Sequence, residues 1–182
     1  MKKQNILDIT MIALMTSIIC IIAPFSVPIP FSIVPISCAT FAVYLSAGIL
    51  GAKSGVISVA IYILLGFVGV PVFAGWSAGA GVVLGPTGGY IFGFMIIAYF
   101  TGTFIKRCNN SIFYMAVGMI IGTIGCYGIG SVWLGLQLNL SIWQALMVGV
   151  IPYVLGDVIK MVFALFIIKS LRSYGYHRII QM

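Results

Sequence analysis

Residues 143–168 read WQALMVGVIPYVLGDVIKMVFALFII, from Trp143 to Ile168. An apolar run of this length is sufficient to cross the hydrocarbon of a bilayer, which takes about 20 helical residues. It also holds a carboxylate and an ammonium, Asp157 and Lys160, three residues apart. That spacing puts both groups on one face of a helix. Charged groups inside a bilayer are costly, so they turn toward protein or water and mark ligand paths. The stretch therefore reads as a membrane span carrying a candidate binding site.

The rest of the chain agrees with that reading. Hydrophobic residues make up 62% of the sequence and charged residues 6%, against about 25% charged in soluble domains; the mean hydropathy is +1.23. Further apolar segments fall at residues 5–23, 35–51, 55–70, 88–105 and 111–133. Together with 143–168 they predict one membrane domain over residues 1–182, an all-α bundle of six transmembrane helices. Lys2 and Lys3 ahead of an apolar stretch resemble a signal peptide, but Pro24, Pro28 and Pro30 follow it without a small-residue cleavage site, so the first span is expected to be retained. Asp8 falls in the first turn of that span, where a carboxylate suits the helix dipole.

The basic residues orient the bundle. Lys2 and Lys3, Lys53, Lys106 and Arg107, and Lys169, Arg172 and Arg178 flank alternate ends of the spans, whereas residues 24–34, 71–87 and 134–142 contain no charge. The excess of Lys and Arg on cytoplasmic loops predicts both termini inside, in a multi-pass protein of the cell membrane. The same dispersal argues against nucleic acid, since the net charge of +7 forms no stripe that follows a phosphate backbone.

Several activities are excluded by what the residues cannot assemble. Cys20, Cys38, Cys108 and Cys126 show no paired spacing, so neither a disulfide framework nor a metal site follows. His177 lies in the basic tail without a carboxylate partner. No phosphate-cradling glycine–lysine loop occurs, and no nucleophile–base pair can be built. We expect no catalytic residue, no metal and no cofactor; any ATP hydrolysis belongs to another polypeptide.

Two uncharged connections are themselves unusual. The first carries Pro24, Pro28, Pro30 and Pro35, which forbid regular helix. Its apolar residues Phe25, Val27, Ile29 and Phe31 are expected to form a lid over the outer face. The second is dense in glycine, which permits close approach of backbone to a ligand. Gly79, Gly81 and Gly85, with the aromatics Phe73, Trp76 and Tyr90, are the candidate ligand-lining residues. The series Gly81, Gly85, Gly89 and Gly93 also fits plain helix packing. On the first span Ala13 and Ser17 form a small face, one turn apart, suited to docking another helix.

The run Gly69-Val70-Pro71-Val72-Phe73-Ala74-Gly75, with Leu84-Gly85-Pro86-Thr87-Gly88-Gly89-Tyr90 and Gly93-Phe94, resembles the BioY family, the biotin-binding S components of energy-coupling-factor (ECF) vitamin transporters. The segment Pro152-Tyr153-Val154-Leu155-Gly156-Asp157-Val158-Ile159-Lys160 is similar to the family's sixth-helix signature, with Leu155 where the family usually has proline. The resemblance implies a bacterial or archaeal importer subunit that captures biotin at the outer face. It implies partners too: a transmembrane coupling protein and two ATPase subunits, besides the membrane lipid. The residues offer matching chemistry, since Asp157 accepts from ureido N–H groups, Lys160 donates to the ureido carbonyl, and Phe73, Trp76 and Tyr90 suit the apolar ring and tail. The alternatives are a proton-coupled carrier or channel using Asp157, a scaffold in which Asp157 and Lys160 form a buried structural pair, or an S component for another vitamin.

Overall fold

The computed structural model describes residues 3–29, 32–107 and 111–171. The chain begins with helix α1 (Lys3–Ile22) and a hairpin of strands β1 (Ser26–Ile29) and β2 (Ser32–Ser37). Helices α2 (Ala39–Leu50) and α3 (Ala52–Val68) follow. A single turn of 3-10 helix (Ala74–Trp76) and the short α4 (Ala80–Val83) lead to α5 (Gly88–Arg107). The chain then forms α6 (Ile112–Leu138), α7 (Ile142–Gly149) and α8 (Ile151–Leu171).

Helix α5 is the centre of the bundle, packed on α2, α3 and above all α6, while α8 closes against α2. Within α5, Gly89 and Gly93 face α6 so closely that a methyl at Gly93 would lie 2.6 Å from Cys126 Sγ, and one at Gly89 would overlap Trp133. Half of the four-residue glycine series is thus explained by helix approach. The core holds Tyr44, Tyr62, Phe73, Ile97, Met115, Met119 and Leu134, all inaccessible or nearly so. Outside it, Leu136, Leu155, Phe163 and Phe166 are exposed. A bundle apolar on its outside as well as within is built for lipid.

Among the described residues three helices, α5, α6 and α8, are long and apolar enough to cross a membrane, and α1, α2 and α3 hold shorter apolar stretches. Two apolar runs are not single helices. Residues 35–51 begin as strand, and α2 starts only at Ala39. The run 143–168 is divided at Val150, whose φ of −128° and ψ of −57° end α7. Pro152 enforces the division. It has no N–H for a carbonyl four residues back, yet fits the first turn of a new helix, where that donor would have no partner.

The proline-rich connection is extended, as its composition requires, and it pairs with itself. Ser26 faces Ser37 and Val27 faces Ile36, with an irregularity between Val27 and Ile29 at Pro28. A proline cannot donate to the ladder, so its position coincides with the slip in register. Pro30 and Phe31 lie outside the described residues. The glycine-rich connection folds back on α3: Gly69 ends that helix with φ +113°, and Phe73 sits where any side chain at Gly66 would collide with its ring.

Candidate functional site

Where the connections meet the helices, a cavity of about 350 Å³ opens. Strand β2 contributes Val34, Pro35 and Ser37; the turn after α3 contributes Phe73, Ala74 and Ser77. Gly81 and Val82 come from α4, Gly85, Pro86 and Thr87 from the α4–α5 link, and Tyr90, Ile91 and Phe94 from the first turns of α5. The floor, with Tyr62, Phe73 and Ile91, is buried, whereas Gly81 is exposed and marks the rim.

A smaller compartment of about 60 Å³ continues inward, sharing Val34, Pro35, Ser37, Tyr90 and Phe94 with the larger one. It ends on Thr40, Tyr127, Tyr153, Asp157 and Lys160. Asp157 is 4% exposed and its Oδ1 lies 2.8 Å from Lys160 Nζ. Thr40 donates to Oδ1 at 3.0 Å, and the Tyr127 hydroxyl to Oδ2 at 2.5 Å. Lys160 uses its remaining N–H groups on the Ser37 carbonyl at 2.7 Å and Thr40 Oγ1 at 3.3 Å. A buried ion pair is tolerated when the leftover lone pairs and protons find partners, and these do. The carboxylate retains acceptor capacity on Oδ2, which among the described residues accepts from Tyr127 alone.

One polar atom at this junction has no partner among the described residues. The Tyr90 hydroxyl is buried, unbonded and set against Gly149 where the two compartments join. A buried donor without an acceptor costs free energy comparable to a lost hydrogen bond, and such a group at a ligand cavity is a ready contact. Beside it, Tyr153 donates to Ser32 Oγ at 2.6 Å and also reaches the Val34 carbonyl, while Ser32 Oγ donates to the Val148 carbonyl at 2.9 Å. These bonds fasten β2 to α7 and α8.

The structure brings Phe73, Tyr90, Gly81 and Gly85 to the larger compartment and Asp157 and Lys160 to the inner one. It does not bring Trp76 or Gly79. Trp76 is 60% exposed and packs edge-on against Phe25, ring centres 5.8 Å apart. Gly79, at φ +94°, is a turn residue whose N–H donates to the Gly66 carbonyl at 2.7 Å. In the hairpin, Phe25 and Val27 are exposed on the outside, and the cavity wall is made by β2 instead. The side chain of Ile29, like all of Phe31, lies outside the described residues. Ala13 and Ser17 share an exposed face of α1, with Ser17 Oγ donating to the Ala13 carbonyl at 2.9 Å.

Thr40, Ser37, Tyr127 and Tyr153 are members of the site that the sequence reading passed over. Tyr153 was accessible, being four residues ahead of Asp157 and so on its face. Thr40 and Tyr127 lie in other apolar segments, and nothing local ties them to Asp157.

Comparison with known proteins covers nearly the whole chain. Residues 1–176 match the BioY family. A biotin transporter BioY of Thermotoga maritima is 39% identical over 153 residues, spanning 84% of this chain and 89% of the relative. A probable biotin transporter BioY of Pyrococcus horikoshii is 33% identical over 166 residues, spanning 91% and 96%. The solved S-component for biotin from an ECF-type ABC transporter superposes with a TM-score of 0.88 at 30% identity, covering 96% of this chain and 95% of that one.

Proposed function

The chain belongs to the BioY family, and from that premise we propose how its cleft takes up biotin. The protein is a biotin-binding membrane subunit of an ECF importer, and its work is binding and transfer rather than catalysis. In our reading α1, α2, α3, α5, α6 and α8 are six spans with both termini in the cytoplasm. The hairpin, the glycine-rich connection and α7 then lie at the outer end. The placement of Lys53, Lys106 and Arg107 at the opposite connections supports this orientation, in a multi-pass protein of the bacterial or archaeal plasma membrane.

The observation that carries the binding reading is the joined cavity, apolar at its outer part and ending inward on a satisfied ion pair. Its volume of about 350 Å³ falls in the range of about 300–1,000 Å³ common to small-molecule sites. The uncharged ureido group of biotin goes inward: an N–H donates to the free acceptor capacity of Asp157, and the carbonyl accepts from Tyr90 and Lys160. Phe73, Phe94 and Ile91 enclose the thioether ring. Lys160 can serve the ligand only by loosening its bond to the Ser37 carbonyl at the end of β2. Ligand and hairpin thereby draw on one ammonium, which links occupancy to the hairpin that covers the site. Delivery depends on the ECF module, in our reading a transmembrane coupling protein and two ATPase subunits, with the Ala13–Ser17 face of α1 as the docking surface.

An equilibrium titration of the purified, detergent-solubilised protein with labelled biotin tests the reading, with thiamine and riboflavin as controls. Saturable binding of biotin alone is expected. Absence of biotin binding, or equal binding of the controls, refutes the assignment.

A further inference from the structure

The cleft opens between β2 and the connection of residues 71–87, and residues 24–34 and 71–87 contain no charged side chain. The larger compartment is lined by apolar residues, by serine, threonine and tyrosine hydroxyls, and by backbone. Among the described residues that line the cavity the cation is Lys160, at the inner end, where its three N–H groups already serve Ser37, Thr40 and Asp157.

Biotin makes two different demands. Its bicyclic head is uncharged, whereas its four-carbon tail ends in a carboxylate. An ionised carboxylate taken out of water needs an opposite charge or a full set of donors. The N-terminus of α5 faces the compartment, but a helix end offers only a partial charge. Three of its N–H donors are also committed: Gly88 to the Gly85 carbonyl, and Tyr90 and Ile91 to the Thr87 carbonyl. With the head inward, the carboxylate finds no counterion in the cleft and remains in water at the rim. There is room beyond that rim, since a side-chain carbon added at Gly81 would meet nothing within 4 Å.

We infer that this protein reads the bicyclic head of its ligand and not the charge on the tail. Its substrate class therefore extends to derivatives with a neutral or lengthened tail: the carboxamide, the methyl ester, and biotin joined by an amide to the side chain of lysine. The last is what digestion leaves of a protein carrying biotin on a lysine, so a protein-degrading reaction would supply it. The inference rests on the head-inward reading proposed above.

The test is to titrate the purified, detergent-solubilised protein with biotin, biotin methyl ester, biotinamide and Nε-biotinyl-lysine, using 2-iminobiotin as a head-altered control. The three tail variants are expected to bind within about threefold of biotin and the imino compound at least about tenfold more weakly. Biotin affinity should also change less than about twofold when salt is raised enough to shrink the screening length from about 10 Å to about 3 Å. A tenfold loss on amidation or esterification, with biotin still bound, overturns the inference and leaves the head-inward site standing. Failure of biotin itself to bind overturns both. A Gly81→Lys variant provides the reverse arm: a cation at the rim should give biotin an advantage of about threefold over its methyl ester at low salt. Unchanged discrimination in that variant means that the tail does not pass this rim, which also overturns the inference.

Discussion

Take the ammonium from Lys160 and the Asp157 carboxylate stays buried with two hydroxyl donors, those of Thr40 and Tyr127. Breaking a buried pair in this way costs about 3–5 kcal/mol, so Lys160→Met should lower the melting temperature markedly. Adding Asp157→Asn removes the stranded charge and should recover most of that stability. Neither the single nor the double variant should bind biotin within about tenfold of wild type, a loss of about 1.4 kcal/mol. Recovery of binding along with stability would mark the pair as purely structural. Tyr90 offers the opposite sign pattern, because its hydroxyl is buried without a partner. Tyr90→Phe should leave the ligand-free protein as stable or more stable, by up to about 1–3 kcal/mol, since an unsatisfied group is removed. The same change should weaken biotin by about threefold to tenfold, the worth of one hydrogen bond. Unaltered affinity would place the hydroxyl outside the ligand's reach.

At the scale of elements, the hairpin is held by a short chain of bonds from Tyr153 through Ser32 to the Val148 carbonyl. Tyr153→Phe takes away the first of them. Biotin should then dissociate about threefold to tenfold faster with little change in association, because changes in contacts are felt mainly in the off-rate. Stopped-flow exchange against unlabelled biotin measures this, and an unchanged off-rate would show that β2 is not the cover. The docking face proposed on α1 makes a separate prediction. Ser17 returns its hydroxyl to the Ala13 carbonyl, leaving a small and effectively apolar strip that another helix can approach closely. Leu at both positions should leave biotin binding intact and abolish uptake by the assembled importer; undiminished uptake would exclude this strip as the docking surface.

The orientation proposed for the whole molecule can be read by labelling. In a background freed of Cys20, Cys38, Cys108 and Cys126, a cysteine at Lys53, which is exposed between α2 and α3, should react with a membrane-impermeant maleimide only from the cytoplasmic side. A cysteine at Ser77, on the cavity wall, should react only from outside and be protected by biotin. The opposite sidedness at either position would invert the orientation.

The bundle's helical, membrane-borne character and the pairing of Asp157 with Lys160 on one helix face were legible from the sequence. Apolar run length and the rarity of buried charge are properties of single segments. The glycine-rich stretch was legible as a site only in part, since Gly81 and Gly85 line the cavity while Gly89 and Gly93 serve the contact with α6. One spacing satisfies both uses, and periodicity alone cannot separate them. The break at Val150 was carried by Pro152, but apolar composition hid it, because hydropathy does not register where a helix restarts. Trp76 and Phe25 were read as ligand and lid contacts, yet they pack on each other at the surface: aromatic type does not say which way a side chain on a turn points. Only tertiary structure could gather Thr40 from α2 and Tyr127 from α6 around Asp157 of α8. A hydrogen bond between residues far apart in the chain leaves no periodic trace in either segment, and exists only once the helices have packed.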